Sequence, residues 1–168
     1  MKEKKENNKI RIKIRKLRGF HEANQCARLM VSSEPWITLC RTHDESMKIL
    51  RDPSREVYVA TIKDEIVGFV IFLMRGALTG YIQTVCVKPE WRNREIGSRL
   101  LKFAEDKILK KTPNVFMCVS SFNKKAQRLY KRLGYEIIGE MKDYIVPGHS
   151  EILLRKSIAP LTEFKMKS

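Results

Sequence analysis

A chain of 168 residues with 43% apolar content is long enough for one domain with a buried core and too apolar to be wholly disordered. Its 34 basic side chains against 19 acidic ones leave a net charge of +15, which invites an anionic ligand, nucleic acid or an acidic partner without choosing among them. No apolar run nears the ~20 residues that cross a bilayer, and the basic start lacks a signal-peptide apolar core, so a cytoplasmic protein with no membrane partner is expected.

Residues 1–8 read as a basic flexible tail, 9–158 as the domain and 159–168 as a C-terminal tail. Ile10, Ile12 and Ile14 alternate with basic residues, the period of a half-buried strand. Phe20, Ala23, Cys26, Ala27 and Met30 recur at helical spacing and predict a helix with those residues on its buried face, broken at Glu34-Pro35. Thr42 with Glu45 three residues later is a capping box that starts a short helix, which Asp52-Pro53 ends. Val57–Thr61 and Ile66–Leu73 flank a turn at 63–65 and predict a hairpin, and Tyr81–Val87 predicts a third strand. Gly97–Leu109 is amphipathic, with Leu100, Leu101, Ala104 and Ile108 on one face. A strand at Val115–Ser120 follows. Asn123 caps a helix over Lys124–Leu133 that Gly134 terminates, and strands Tyr135–Met141 and Glu151–Lys156 close the order.

This order predicts a mixed α/β domain: hairpins give antiparallel pairs, while the strand-helix-strand unit from Tyr81 to Ser120 needs one parallel pair. Cys26, Cys40, Cys86 and Cys118 are scattered without metal-ligand spacing, so no metal is expected and all four read as buried, reduced thiols. No zinc finger or aromatic-interleaved basic motif supports nucleic-acid reading.

The informative segment is Val87-Lys88-Pro89-Glu90-Trp91-Arg92-Asn93-Arg94-Glu95-Ile96-Gly97-Ser98. A strand ends, a basic turn follows, and a helix opens. Free amides and the positive end of the dipole make such a start an anion site, and Gly97 lets a phosphate approach the backbone. Downstream, Asn123, Ala126, Leu129, Tyr130, Arg132, Gly134 and Tyr135 form a second pattern on a helix and its exit.

The first segment resembles the [QR]-x-x-G-x-[GA] motif of the GNAT (GCN5-related N-acetyltransferase) superfamily. The second resembles that family's N-x-x-A-x-x-[LF]-Y-x-[KR]-x-G-[FY]. The resemblance covers residues 10–156. It implies a single-domain GNAT fold, with a mostly antiparallel central sheet, one splayed parallel strand pair and helices on both faces. It also implies an N-acetyltransferase that moves acetyl from acetyl-CoA to a primary amine, on a small molecule or a peptide. By the same resemblance, Val85 and Val87 present backbone to the pantetheine arm. Arg92, Asn93, Arg94, Ile96, Gly97 and Ser98 surround the diphosphate, Asn123 lies near the thioester, and Lys124 or Lys125 meets the 3′-phosphate. Tyr130 matches the tyrosine that protonates the departing thiolate. Trp36 and Tyr144 line the acceptor pocket.

Glu95 departs from the pattern, which has Gly there. A carboxylate beside phosphates weakens their binding unless it points to solvent, and a Gly kept for positive φ makes Glu strained. A non-catalytic acetyl-CoA-binding module is therefore an alternative reading, and a nucleic-acid-binding protein another. Four residues could accept the acceptor's proton, Glu34, Asp143, His149 and Glu151, and the sequence does not choose among them. A lysine-like amine of pKa ~10.4 is scarcely neutral at pH 7, whereas an α-amine of pKa ~7.7 is substantially so, which makes the α-amine the easier substrate. Either a monomer or a homodimer is compatible with the chain.

Overall fold

A computed structural model describes residues 11–166. Seven strands and four α-helices alternate as β1 (Lys13–Lys16), α1 (Gly19–Val31), α2 (His43–Arg51), β2 (Arg55–Ile62), β3 (Glu65–Leu73), β4 (Tyr81–Val87), α3 (Ile96–Ile108), β5 (Asn114–Ser120), α4 (Lys124–Arg132), β6 (Glu136–Met141) and β7 (Glu151–Ser157). The strands form one sheet in the order β1-β2-β3-β4-β5-β7-β6, and every pairing is antiparallel except β4 with β5. The expected mixed α/β domain is the one observed. Ile10 lies outside the described residues.

Local chemistry sets the boundaries. The β2–β3 hairpin turns on Lys63 and Asp64, both at positive φ, the two-residue turn whose twist matches its flanking strands. α2 starts with a complete capping box: Glu45 N–H donates to Thr42 Oγ1 at 3.2 Å, and Thr42 N–H donates to the Glu45 carboxylate at 2.9 Å.

The middle of the sheet is covered on both faces, while β6 at its edge is largely exposed. α3 lays Ile96, Leu100, Leu101, Ala104 and Ile108 onto one face, joined by Ala126, Leu129 and Tyr130 of α4. α1 and α2 cover the other with Ala23, Cys26, Ala27, Met30 and Leu50. Each large apolar side chain so buried contributes roughly 1.5–3 kcal/mol.

Two expectations are corrected. Phe20 is 63% exposed rather than on the buried face of α1, because it stands in the first turn of a helix whose buried residues begin at Ala23; its ring instead lies under the Arg51 guanidinium, 5.5 Å away. Of the four thiols only Cys26 and Cys86 are buried; Cys40 is exposed, in the loop after α1, and Cys118 is half-buried on β5.

β4 and β5 make only two pairs, Tyr81 with Phe116 and Ile82 with Met117. Gly80 seals this end: its φ is +88°, and a Cβ there would lie 2.6 Å from the Asn114 carbonyl oxygen. Beyond Ile82 the strands part. On the other edge of β4, Phe72 pairs with Ile82 and Ile71 with Thr84, so Gln83 is an extra residue, a β-bulge at the point of divergence.

Candidate active site

The parted strands open a cavity of about 1270 Å³ that runs between the two helical layers. Val85 and Val87 line it from β4, and Cys118, Val119 and Ser120 from the facing end of β5. One carbonyl of that β4 edge has a side-chain partner: Arg92 Nε donates to the Val87 oxygen at 3.1 Å.

At one mouth stands the start of α3. Glu95, the residue before it, has φ 61°, ψ 5° and places no side-chain bond on the helix amides. By contrast α2 and α4 are capped, the latter by Asn123, whose Oδ1 accepts from Ala126 N–H at 3.2 Å. The first intrahelical bond of α3 runs from Arg99 N–H to the Glu95 carbonyl at 2.9 Å, so the amides of Ile96, Gly97 and Ser98 precede the ladder and border the cavity. Asn93 also has positive φ, 60°, and alternation of this kind curls successive amides into an anion-binding concavity. Glu95 is exposed and borders the same mouth. Lys125 Nζ crosses from α4 to donate to Asn93 Oδ1 at 2.9 Å. Lys124 does not border the cavity. Neither does Arg94, whose guanidinium stacks 4.9 Å over Trp91.

Deeper in, Asn123 and Tyr130 face the cavity from α4, seven residues and two turns apart. Gln127 fastens that helix to the end of β5, its amide donating to the carbonyls of Ser120 (3.1 Å) and Ser121 (3.0 Å). Burial pushes the Tyr130 phenol up to about 12, so it is protonated at neutral pH. Its ring meets Tyr135 edge-on, with centroids 6.1 Å apart.

The opposite arm of the cavity carries Trp36, which is buried, and Tyr144, which is 64% exposed; both contribute to the lining. Of the four possible proton acceptors, Glu34 and Glu151 border the cavity. Asp143 turns inward on its own loop, accepting from Gly148 N–H at 2.6 Å, and His149 packs edge-on against Phe122 at 4.8 Å. Among the described residues no group of three or more His, Cys, Asp or Glu could hold a metal ion. The bulge at Gln83 and the wall formed by Tyr81 escaped the sequence reading; a bulge depends on the register with β3, which no local pattern carries.

A split β4–β5 pair beside an uncapped helix start accords with the model of the acetyltransferase (GNAT) family, which matches residues 18–135. The chain belongs to that family. Among GNAT relatives it is 32% identical over 105 residues to an uncharacterized N-acetyltransferase of Methanocaldococcus jannaschii, 59% of this chain and 64% of that one. It is 37% identical over 65 residues to the thialysine N-epsilon-acetyltransferase of Sus scrofa, 38% of each chain. The chain thus spans less than two thirds of the length of these relatives. The fold is that of a ribosomal-protein-alanine N-acetyltransferase from Escherichia coli, with a TM-score of 0.73 at 14% identity, covering 92% of this chain and all of that one.

Proposed function

We propose that the protein transfers the acetyl group of acetyl-CoA to a primary amine by direct attack. The observation that carries this reading is the continuity of one cavity past three features: the uncapped start of α3, the parted edge of β4 and the Tyr130 phenol. Each suits a different part of the acyl donor. The amides of Ile96, Gly97 and Ser98, with Arg92 and Asn93 beside them, suit a diphosphate. Backbone of β4 at Val85 and at the Val87 N–H, on the edge that β5 leaves after Ile82, suits the amide-bearing pantetheine arm, with Asn123 near the thioester and Lys125 within reach of a further phosphate.

In the reaction the nitrogen lone pair of a neutral amine attacks the thioester carbonyl carbon. A C–N bond forms, the C–S bond breaks, the thiolate accepts a proton from Tyr130, and the proton that nitrogen sheds as the amide forms returns through solvent to the Tyr130 phenolate. Because burial disfavours phenolate, Tyr130 enters the step protonated and hydrogen-bonds to charge as it develops on sulfur. Trp36 and Tyr144 would frame the acceptor, an amine on a small molecule or a peptide.

Release of free thiol that requires both acetyl-CoA and an amine tests the assignment. If acetyl-CoA raises the melting temperature while no peptide, lysine, polyamine or aminoglycoside amine releases thiol, the protein is instead a binding module. Glu95 at the phosphate mouth favours that second reading.

A further inference from the structure

The acceptor arm of the cavity ends on a carboxylate that lies in neither sequence motif. Glu151 opens β7 opposite Ser120, the last residue of β5, at the level where β4 has already moved away. Met117, Val119 and Leu154 turn to the α3–α4 core, so alternation sends Cys118, Ser120 and Glu151 to the other side of the sheet. Glu151 is only 6% exposed, yet it borders the cavity.

Its position is held from both sides. Ser120 Oγ donates to Glu151 Oε1 at 2.5 Å. Ser121 N–H donates to the Ser150 carbonyl at 2.8 Å, and Ser150 N–H donates to Ser121 Oγ at 3.1 Å, which locks the residue before it. Oε2 has no protein donor among the described residues, and it is not sealed from the cavity. The titratable groups around it are Tyr81 from β4 and Cys118 from β5, with Tyr144 from the β6–β7 connection facing Tyr81. None is a cation. A buried carboxylate with one oxygen unpaired is costly, and such groups persist where a ligand completes them.

The other candidates are otherwise engaged. Both oxygens of Glu34 serve Thr38, at 3.3 Å to its N–H and 3.1 Å to its hydroxyl. Asp143 and His149 do not reach the cavity.

We propose that Glu151 is the acceptor-side catalytic residue: Oε2 binds the ammonium of the incoming amine, orients it towards the thioester, and takes its proton before attack. This rests on the transferase reading above. One N–H bond of the ammonium breaks as an O–H bond forms on Oε2, the freed lone pair makes the C–N bond, Tyr130 supplies the separate proton that leaves with sulfur, and the second proton that nitrogen sheds as the amide forms returns through solvent to the Tyr130 phenolate. The carboxylic acid then loses its proton to water at the cavity mouth. Burial raises the Glu151 carboxyl above its ordinary value, partly offset by the Ser120 hydroxyl, and the same desolvation lowers an ammonium bound beside it. The two are thereby brought closer together, which makes the transfer feasible.

The test uses the full-length protein and whichever of phenylalaninamide, N-acetyl-lysinamide and spermidine it acetylates fastest. Glu151→Gln should keep the acetyl-CoA Kd within about twofold while lowering kcat/KM for the amine about 100-fold. The deficit should shrink as pH rises above the amine's own pKa, because free amine then needs no base; a merely structural glutamate would not produce that recovery. Asp143→Asn and His149→Gln should match the wild type. Wild-type kcat/KM for Glu151→Gln at every pH, with acetyl-CoA bound normally, overturns the proposal. Should Glu151→Gln lose acetyl-CoA affinity, Ser120→Ala carries the test: loss of the donor moves the acid limb of the pH profile upward, and an unmoved limb overturns the assignment. Turnover of none of these amines, nor of an aminoglycoside, by protein that binds acetyl-CoA, overturns it together with the transferase reading; turnover with an indifferent Glu151→Gln overturns it alone.

Discussion

The hydroxyl of Tyr135 donates to Glu105 at 2.8 Å, and Lys156 donates to the other oxygen of the same carboxylate at 2.7 Å. One nearly buried group thus ties α3 to the exit of α4 and to β7, directly behind the ring of Tyr130. Burial, reinforced by the Glu105 charge, pushes the Tyr135 phenol far up and keeps it a donor. Tyr135→Phe should cost about 1 kcal/mol, since Lys156 still satisfies Glu105. Glu105→Ala should cost about 3 kcal/mol because it leaves a partly buried ammonium unpaired. Urea denaturation midpoints measure both.

Tyr130→Phe keeps the ring and its contact with Tyr135 and removes only the hydroxyl. A fall in kcat of about 100-fold with an unchanged acetyl-CoA Kd is expected. Steady-state kinetics with calorimetric binding decides it, and a fully active Phe variant would remove the acid role.

Glu95 holds a left-handed backbone that costs a side-chain-bearing residue about 1 kcal/mol. Glu95→Gly relieves this, less the entropy regained by the unfolded chain, for a net gain of about 0.5 kcal/mol. It also removes a negative charge from the mouth where α3 begins. Acetyl-CoA should bind about fivefold more tightly at low ionic strength, with the gain fading as salt is added. Titration calorimetry at two salt concentrations checks it.

Glu22 is gripped by Arg15 through two bonds of 2.7 and 2.9 Å and accepts a third, at 2.7 Å, from Arg18 N–H, joining β1 to α1. The Arg15 guanidinium, more than any other cause, holds this carboxyl below its ordinary value. A depressed folded value means the contribution is complete above the unfolded pKa of about 4.3 and is lost as pH falls through the folded one. Glu22→Gln should therefore lower stability by about 1.5 kcal/mol at pH 7. Thermal melts across pH should show wild type and variant converging below about pH 4.

Much of the fold was legible because its signals are local. The Thr42–Glu45 box names both of its partners within four residues, and Asn123 does the same for α4. Tyr81–Val87 was bounded at both ends by a Gly turn and a proline. Helical periodicity puts Phe20 on the apolar face of α1 but does not say where along the helix burial begins, and it begins at Ala23. The Gln83 bulge arises from pairing with β3, and the setting of Glu151 from pairing with a residue 31 positions away. Chemistry of that kind is invisible until the chain is folded. The residues of α3 and α4 that border the cavity lie near helix ends that the sequence marks, which is why a local pattern could single them out.

A sheet that parts company at Gln83 is two smaller sheets, β1–β4 and β5–β7, stitched at a single seam by the Gly80 end. A donor arm lying in that gap would act as a removable rung, bonding to backbone that has no fixed neighbour. Occupancy and rigidity would then be one variable. The amides of Val85 and Val87 should exchange with solvent faster in the empty protein than those of Thr84 and Cys86, which face β3, and slow down once the arm is seated.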